Sequence, residues 1–377
     1  MLWAGIDLAP HDAPFPSDSD NASVNDTMPS GGPGSADAFD IDRIVHDTGD
    51  MPSTVRIGTR ASTLALTQTG RVADALTAGG AGDVELVQVR TDGDRLMGSL
   101  ASLGGTGVFV TALRDALLDG RCDVAVHSLK DLPTGTAEGL VIGAIPARED
   151  PRDALCARHS WTLESLPEGA RVGTGSPRRA AQLLAVRADL DVVDLRGNVD
   201  TRLRRVARDD LDAVVLACSG LARLGRLEAI TQALDPTVMT PAPGQGALAV
   251  EVRADLEPGS PLHRAIAALE HPATRLAVVA ERALLARLEA GCAAPVGALA
   301  WLSTAGDVLT LDSVVTGPDG KRQLRRSASA AMPTFRAGAR TSDDDDDRAR
   351  TAVDLGNRLA DELLAAGAAE LADLGPR

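Results

Sequence analysis

The 377-residue sequence contains no tyrosine, and aromatics make up only 2% of it. Proteins that grip single-stranded nucleic acid by stacking need aromatic platforms, so that class is disfavoured. Lysine is almost missing: of 38 basic residues only Lys130 and Lys321 are not arginine. Four cysteines in so long a chain do not build a disulfide scaffold, and a reduced, cytoplasmic setting is expected. No run approaches the roughly 18 apolar residues that a membrane span needs. The first residues lack a basic stretch followed by a long apolar one, which argues against a secretory signal. A net charge of −15, taken as an average, argues against nucleic acid, phospholipid and any anionic ligand.

The charge is unevenly spread. Residues 1–53 carry ten Asp and one Arg, a local net of −9, among many Ser, Pro and Gly. Such a segment cannot bury enough apolar surface to offset its ordering entropy, so a disordered acidic extension is expected. Met51, just before the first periodic segment, is an alternative start. Five consecutive Asp at 343–347 read as a solvated acidic loop. With both stretches set aside a net of −1 remains, so the body is nearly neutral. Its length suits two or three domains.

From Val55 the pattern alternates short apolar strands with amphipathic helices, which indicates α/β layers with a largely parallel sheet. VRIG, VELVQV, CDVAVHS and LVIGAIPA read as strands; Ser62 is a plausible N-cap for the first helix. The pattern restarts after Pro151 with ARVGTG, LDVVDLRG and DAVVLACSG, and Ser176-Pro177 opens a helix as N-cap and N1. GALAVEVR, near 243–250, is a strand that would cross back to the first unit. A third unit begins near 269 with a long helix ending at Gly291 and a hairpin around GPDG.

The densest chemical signal is basic. Residues 171–208 hold nine Arg against four Asp, a local net of +5. Arg178 and Arg179 fall in the first turn of a helix, and Arg196 and Arg202 flank the next strand-to-helix turn. In open α/β sheets, ligands sit beyond the strand ends, so both turns face one crevice. Arginine's planar fork suits carboxylate or phosphate there. Arg60 with Ser62 occupies the matching turn of the first unit; it serves either an anion or the local helix dipole. Arg223 carries the same ambiguity. Asp131 follows a buried strand, where a carboxylate either stabilises a cation or merely initiates the turn before Pro133. Lys130 gains weight from its rarity. His127 reads as a satisfied buried histidine. Cys292, in a loop after a helix, is the one cysteine outside an apolar run; the other three read as core. Phe109 is either core or a packing face for a planar ligand.

Together the segments RIGTRASTLALTQ, GGTGVF, DVAVHSLKDLPT, REDPRDAL, GTGSPRRAAQL, LRGNVDTRL, LACSGLARLG, PAPGQGALAVEVR and ERALLARLEAGCAAPVGA resemble the porphobilinogen deaminase (hydroxymethylbilane synthase) family, in that family's order and over about residues 54–370. The resemblance implies two periplasmic-binding-protein-like α/β domains flanking an active-site cleft, plus a smaller α+β C-terminal domain. The expected division is 54–148 with 243–267, then 149–242, then 268–377. It implies stepwise head-to-tail condensation of four porphobilinogen molecules, each losing ammonia, to the linear tetrapyrrole hydroxymethylbilane. It also implies a dipyrromethane cofactor joined to Cys292 through a thioether. Asp131 matches the catalytic carboxylate. Lys130, Ser176, Arg178, Arg179 and Arg196 match positions that hold the cofactor. Arg60, Ser62, Gln68, Arg202, Arg223 and Phe109 match substrate-binding positions. A monomer without nucleic-acid or membrane partners is implied, with handover of product to the next enzyme of the pathway compatible with it.

This sequence departs from the family's pattern at particular places. The loop usually written GGKGLF, with a second Lys soon after, has Thr106 and Thr111 instead, which removes two mobile cations. GTSSLRR becomes GTGSPRR, with Gly175 and Pro177, and GGC becomes AGC with Ala290. The rival reading is a non-catalytic anion-binding protein on the same two-lobed fold.

Overall fold

The computed structural model describes residues 54–89, 107–291, 294–334, 342–372 and 374, without the side chains of 107–109. The acidic extension 1–53, Thr106, Cys292 and the side chain of Phe109 therefore lie outside the described residues.

The first lobe is a five-stranded sheet of β1 (Val55–Thr59), β2 (Val84–Gln88), β3 (Val124–Ser128), β4 (Leu140–Ala144) and β10 (Leu248–Arg253), in the order β2-β1-β3-β10-β4. Strand residues alternate between two cores because successive side chains point to opposite faces. Val55, Ile57, Val124 and Val126 meet Val72 and Leu76 of α1 (Thr63–Ala78) and Ile266 of α6 (Pro261–Ala268). Ala125 and Leu140 meet Leu113, Ala116 and Leu117 of α2 (Gly107–Leu118) on the other face. Each fully buried Leu or Ile contributes on the order of 2 kcal/mol.

The second lobe repeats the plan. Its strands are β5 (Asp153–Ala157), β6 (Arg171–Gly173), β7 (Asp191–Val193), β8 (Ala213–Ala217) and β9 (Gln232–Ala233), ordered β7-β6-β8-β5-β9. Leu155, Val172 and Val215 pack with Leu183 of α3 (Pro177–Val186). Ala154, Cys156, Val214 and Leu216 face Val206 of α4 (Val199–Ala207) and Leu221 of α5 (Cys218–Arg223).

Both sheets are mixed rather than largely parallel. β1 pairs in parallel with β2 and β3, and β6 with β7 and β8. β10 runs antiparallel to β3 and β4, and β5 antiparallel to β8 and β9. Each of these two strands arrives by a crossover from the other lobe, through 145–152 or 234–247, and so enters its sheet from the opposite end. Sequence pattern does not encode that direction.

The remaining chain forms an antiparallel sheet of β11 (Val296–Leu302), β12 (Val308–Thr316) and β13 (Gln323–Ala331), against α7 (Pro272–Arg287), α8 (Ser342–Ala365) and α9 (Ala368–Ala372). The expected acidic loop at 343–347 is helical, forming the start of α8. Asp343, Asp344 and Asp345 occupy its first turn, where the helix dipole favours negative charge. Asp344 is buried there with Arg348, one turn on, whose guanidinium donates to the carbonyls of Pro333 (2.9 Å) and Gly306 (2.8 Å).

Candidate active site

β3 leaves the first sheet into a single 3-10 turn, Leu129–Asp131. Leu129 and Leu132 are buried with Ile145, Ala247 and Val278, so the turn stands on an apolar floor shared by both crossovers and α7. The Leu129 N–H donates to the Ala247 carbonyl at 3.0 Å. Arg282 of α7 clamps the far end, donating to the carbonyls of Leu132 (3.0 Å) and Pro133 (2.6 Å). The turn thus presents Lys130 and Asp131 from a fixed backbone. Among the described residues the Asp131 carboxylate makes no hydrogen bond or ion pair and is only partly buried.

The second lobe brings its arginines to this turn. Ser176 caps α3 by accepting from the Arg179 N–H, and Pro177 occupies the first helical turn. Arg178 and Arg179 are buried, at 4% and 6% exposure, on the fully buried carboxylate of Asp153, the first residue of β5. Arg178 donates to Asp153 Oδ2 (2.7 Å) and to the Thr240 carbonyl (2.6 Å). Arg179 donates through Nε to Asp153 Oδ1 (3.0 Å) and through Nη1 to the Val215 carbonyl (3.0 Å). Burial alone would raise the Asp153 pKa, but the two guanidiniums outweigh it and hold the acid down at about 2. The Gln245 amide nitrogen donates to Asp153 Oδ1 (2.8 Å), and its oxygen accepts from Lys130 Nζ (3.2 Å). Burial first, then the charge of Arg179, pushes the Lys130 ammonium down to about 8. Among the described residues Arg178 Nε, which is buried, has no hydrogen-bond partner.

Arg202 and Arg196 lie at the β7–α4 turn, where Asn198 caps α4. Arg202 Nε donates to the Gly197 carbonyl at 2.8 Å; its pKa is lowered by burial and by the neighbouring Arg179 and Arg196. Arg179, Arg196 and Arg202 therefore share one region. Arg196 is exposed, 3.6 Å from Asp194.

Gln68 and Arg223 meet across the lobes. Gln68 Oε1 accepts from Arg223 (3.3 Å) and from the Ser128 hydroxyl (3.2 Å). Arg223 also donates to the Gly246 carbonyl (2.8 Å) and lies 3.1 Å from the Glu149 carboxylate. Gly246 has φ +89°, and a Cβ there would stand 2.5 Å from the Glu149 carbonyl, so this close passage of the two crossovers needs glycine. Arg60 and Ser62 sit at the N-terminus of α1, where Ser62 accepts from the Ala65 N–H. His127 is buried with its Nε2 3.1 Å from Glu251, whose carboxylate also takes Arg114 at 2.9 Å. Sequence reading missed Asp153, Gln245 and Glu149 as parts of this framework. The available signal for Asp153 was an acid heading an otherwise apolar strand, DALCA.

Two family models match the chain: "Porphobilinogen deaminase, dipyromethane cofactor binding domain" over residues 55–258, and "Porphobilinogen deaminase, C-terminal domain" over 275–365. The chain belongs to the porphobilinogen deaminase family. It is 56% identical over 321 residues to the porphobilinogen deaminase of Leifsonia xyli, covering 85% of this chain and 94% of that one. It is 55% identical over 337 residues to that of Cutibacterium acnes, covering 85% and 98%. Among solved structures it is similar to immunogenic lipoprotein A of Vibrio vulnificus, at 14% identity and a TM-score of 0.34 over 57% of this chain and 94% of that one. As in the family, the protein is a porphobilinogen deaminase enzyme of tetrapyrrole biosynthesis with a dipyrromethane-binding domain. Among the described residues, no helix is long and apolar enough to cross a membrane.

Proposed function

We propose that this chain condenses four porphobilinogen molecules head to tail into hydroxymethylbilane, with Asp131 as the catalytic carboxylate and Cys292 as the point of thioether attachment for dipyrromethane. The observation that carries this reading is the uncommitted Asp131 carboxylate on a rigid turn beside Lys130, next to two buried arginines. The donor set suits a ligand bearing several carboxylates: Arg178 Nε lacks a partner where an unpaired buried donor costs on the order of 1–3 kcal/mol. Lys130, Ser176, Arg178, Arg179 and Arg196 would hold the dipyrromethane, which when bound supplies the pyrrole terminus that is extended. Asp131 stabilises the positive charge left on a substrate ring as its ammonia departs. Arg60, Ser62, Arg202 and Phe109 would take substrate. Gln68 and Arg223, bonded to each other here, would also face substrate. The lobes would be 54–148 with 243–267 and 149–242, followed by the unit 268–377, in a cytoplasmic monomer.

Intact mass tests this directly. The purified protein should exceed its chain mass by one dipyrromethane and colour with Ehrlich's reagent, and Cys292→Ala should lose both. Asp131→Asn should keep the added mass while turnover falls on the order of a hundredfold or more. An unmodified, uncoloured protein would instead favour the anion-binding alternative.

A further inference from the structure

Two arginines of the second lobe bond to one carboxylate, and a lysine of the first lobe is linked to it through a glutamine. Asp153 opens β5 and is wholly buried; both its oxygens are engaged, Oδ2 by Arg178 and Oδ1 by Arg179 and Gln245. Gln245 lies in the crossover 234–247, is 1% exposed, and also donates to the Pro151 carbonyl at 2.8 Å. Its oxygen takes Lys130 Nζ, which comes from the first lobe. Neither Asp153 nor Gln245 has exposed surface with which to meet a substrate. Without Asp153, burying Arg178 and Arg179 side by side would be opposed by both desolvation and mutual repulsion.

We propose that Asp153 and Gln245 are a positioning pair: Asp153 aligns the two guanidiniums, and Gln245 ties the Lys130 ammonium of the opposite lobe to the same carboxylate. The cations then form one fixed array, leaving Arg178 Nε and the remaining Lys130 protons for a ligand's carboxylates. This rests on the deaminase reading for the ligand's identity, but the array itself is testable without any ligand. Four charged groups act on Lys130: Arg178 and Arg179 weaken its hold on a proton, while Asp131 and Asp153 strengthen it. Removing either the Asp153 charge or the Gln245 acceptor should therefore make Lys130 lose its proton more readily.

The chain has only two lysines, so acylation read by peptide mass is clean, with exposed Lys321 as internal reference. Full-length wild type, Gln245→Met and Asp153→Asn are acylated with acetic anhydride across about pH 6 to 10. The Lys130 midpoint should lie below that of Lys321 in wild type. In each folded variant it should fall by a further one to two units or so, roughly the worth of one charged hydrogen bond. The alkaline limb of turnover should move by the same amount. A role confined to packing would lower the melting temperature and move neither; that result in Gln245→Met overturns the proposal, even if Asp153→Asn fails to fold. Wild type that lacks the dipyrromethane mass yet shows the labelling shifts would refute the functional reading and leave the positioning pair standing.

Discussion

Glu281 offers the most exacting test of how the three units are held together. It lies on α7 with no exposed surface. Its Oε1 accepts from Arg148 (2.6 Å) and from the Ala300 N–H of β11 (2.8 Å). Its Oε2 accepts from Arg148 (3.1 Å) and from the Gly244 N–H (2.6 Å). One carboxylate thus joins the C-terminal unit to both interlobe crossovers. Glu281→Ala leaves the Arg148 guanidinium and two backbone donors buried without their acceptor. Breaking a buried pair from one side costs about 3–5 kcal/mol, and the orphaned donors keep the figure towards the upper end. About 4 kcal/mol is a large part of a total stability of roughly 5–15 kcal/mol. At about 2–4 °C per kcal/mol, the melting temperature should drop by roughly 10 °C. Scanning calorimetry measures this, and urea unfolding with an unchanged m-value would confirm a loss of stability rather than of compactness. The double variant Arg148→Met/Glu281→Met removes both charges together and should recover part of the loss. A single-variant drop below about 3 °C would mean that the carboxylate's desolvation cancels its bonds, and the reasoning would fail.

Three other outcomes follow from the geometry. Asp153 is held near 2 against an ordinary 3.8, so it contributes about 2 kcal/mol that is fully present above about pH 4 and lost as pH falls towards 2; acid titration of Asp153→Asn should lack that component. Gly175→Ser would place a Cβ 2.5 Å from the Leu195 carbonyl, so the serine usual in the family should lower the melting temperature by several degrees and weaken cofactor retention, read by intact mass. A chain beginning at Met51 should match the full chain in melting temperature and turnover, because the family match starts at residue 55; loss of either would give residues 1–50 a role.

What the sequence made legible was local. Ser62 and Ser176 each precede a helix whose first N–H groups need an acceptor, and both cap as such residues do. The apolar runs at 124–126 and 213–216 declared themselves buried strands because both faces of each sheet are covered. The density and placement of arginine pointed to Arg178 and Arg179, the rarity of lysine to Lys130, and the family motifs agreed with both. The rest depends on partners far away in the chain. Asp153 meets Gln245 across 92 positions, and Arg148 meets Glu281 across 133. No periodicity or spacing links such residues; they become neighbours only once two crossovers and α7 have packed. The same limit explains the two antiparallel strands, whose direction is set by the lobe from which the chain arrives. The Asp run erred for a different reason. Charge density suggested solvation, but the first turn of a helix is where acids gain from exposed N–H groups. Net charge failed as a guide to ligand for a related cause: the buried cations of the site are balanced within a few ångströms by Asp153, so their local field bears no relation to the sum over the chain.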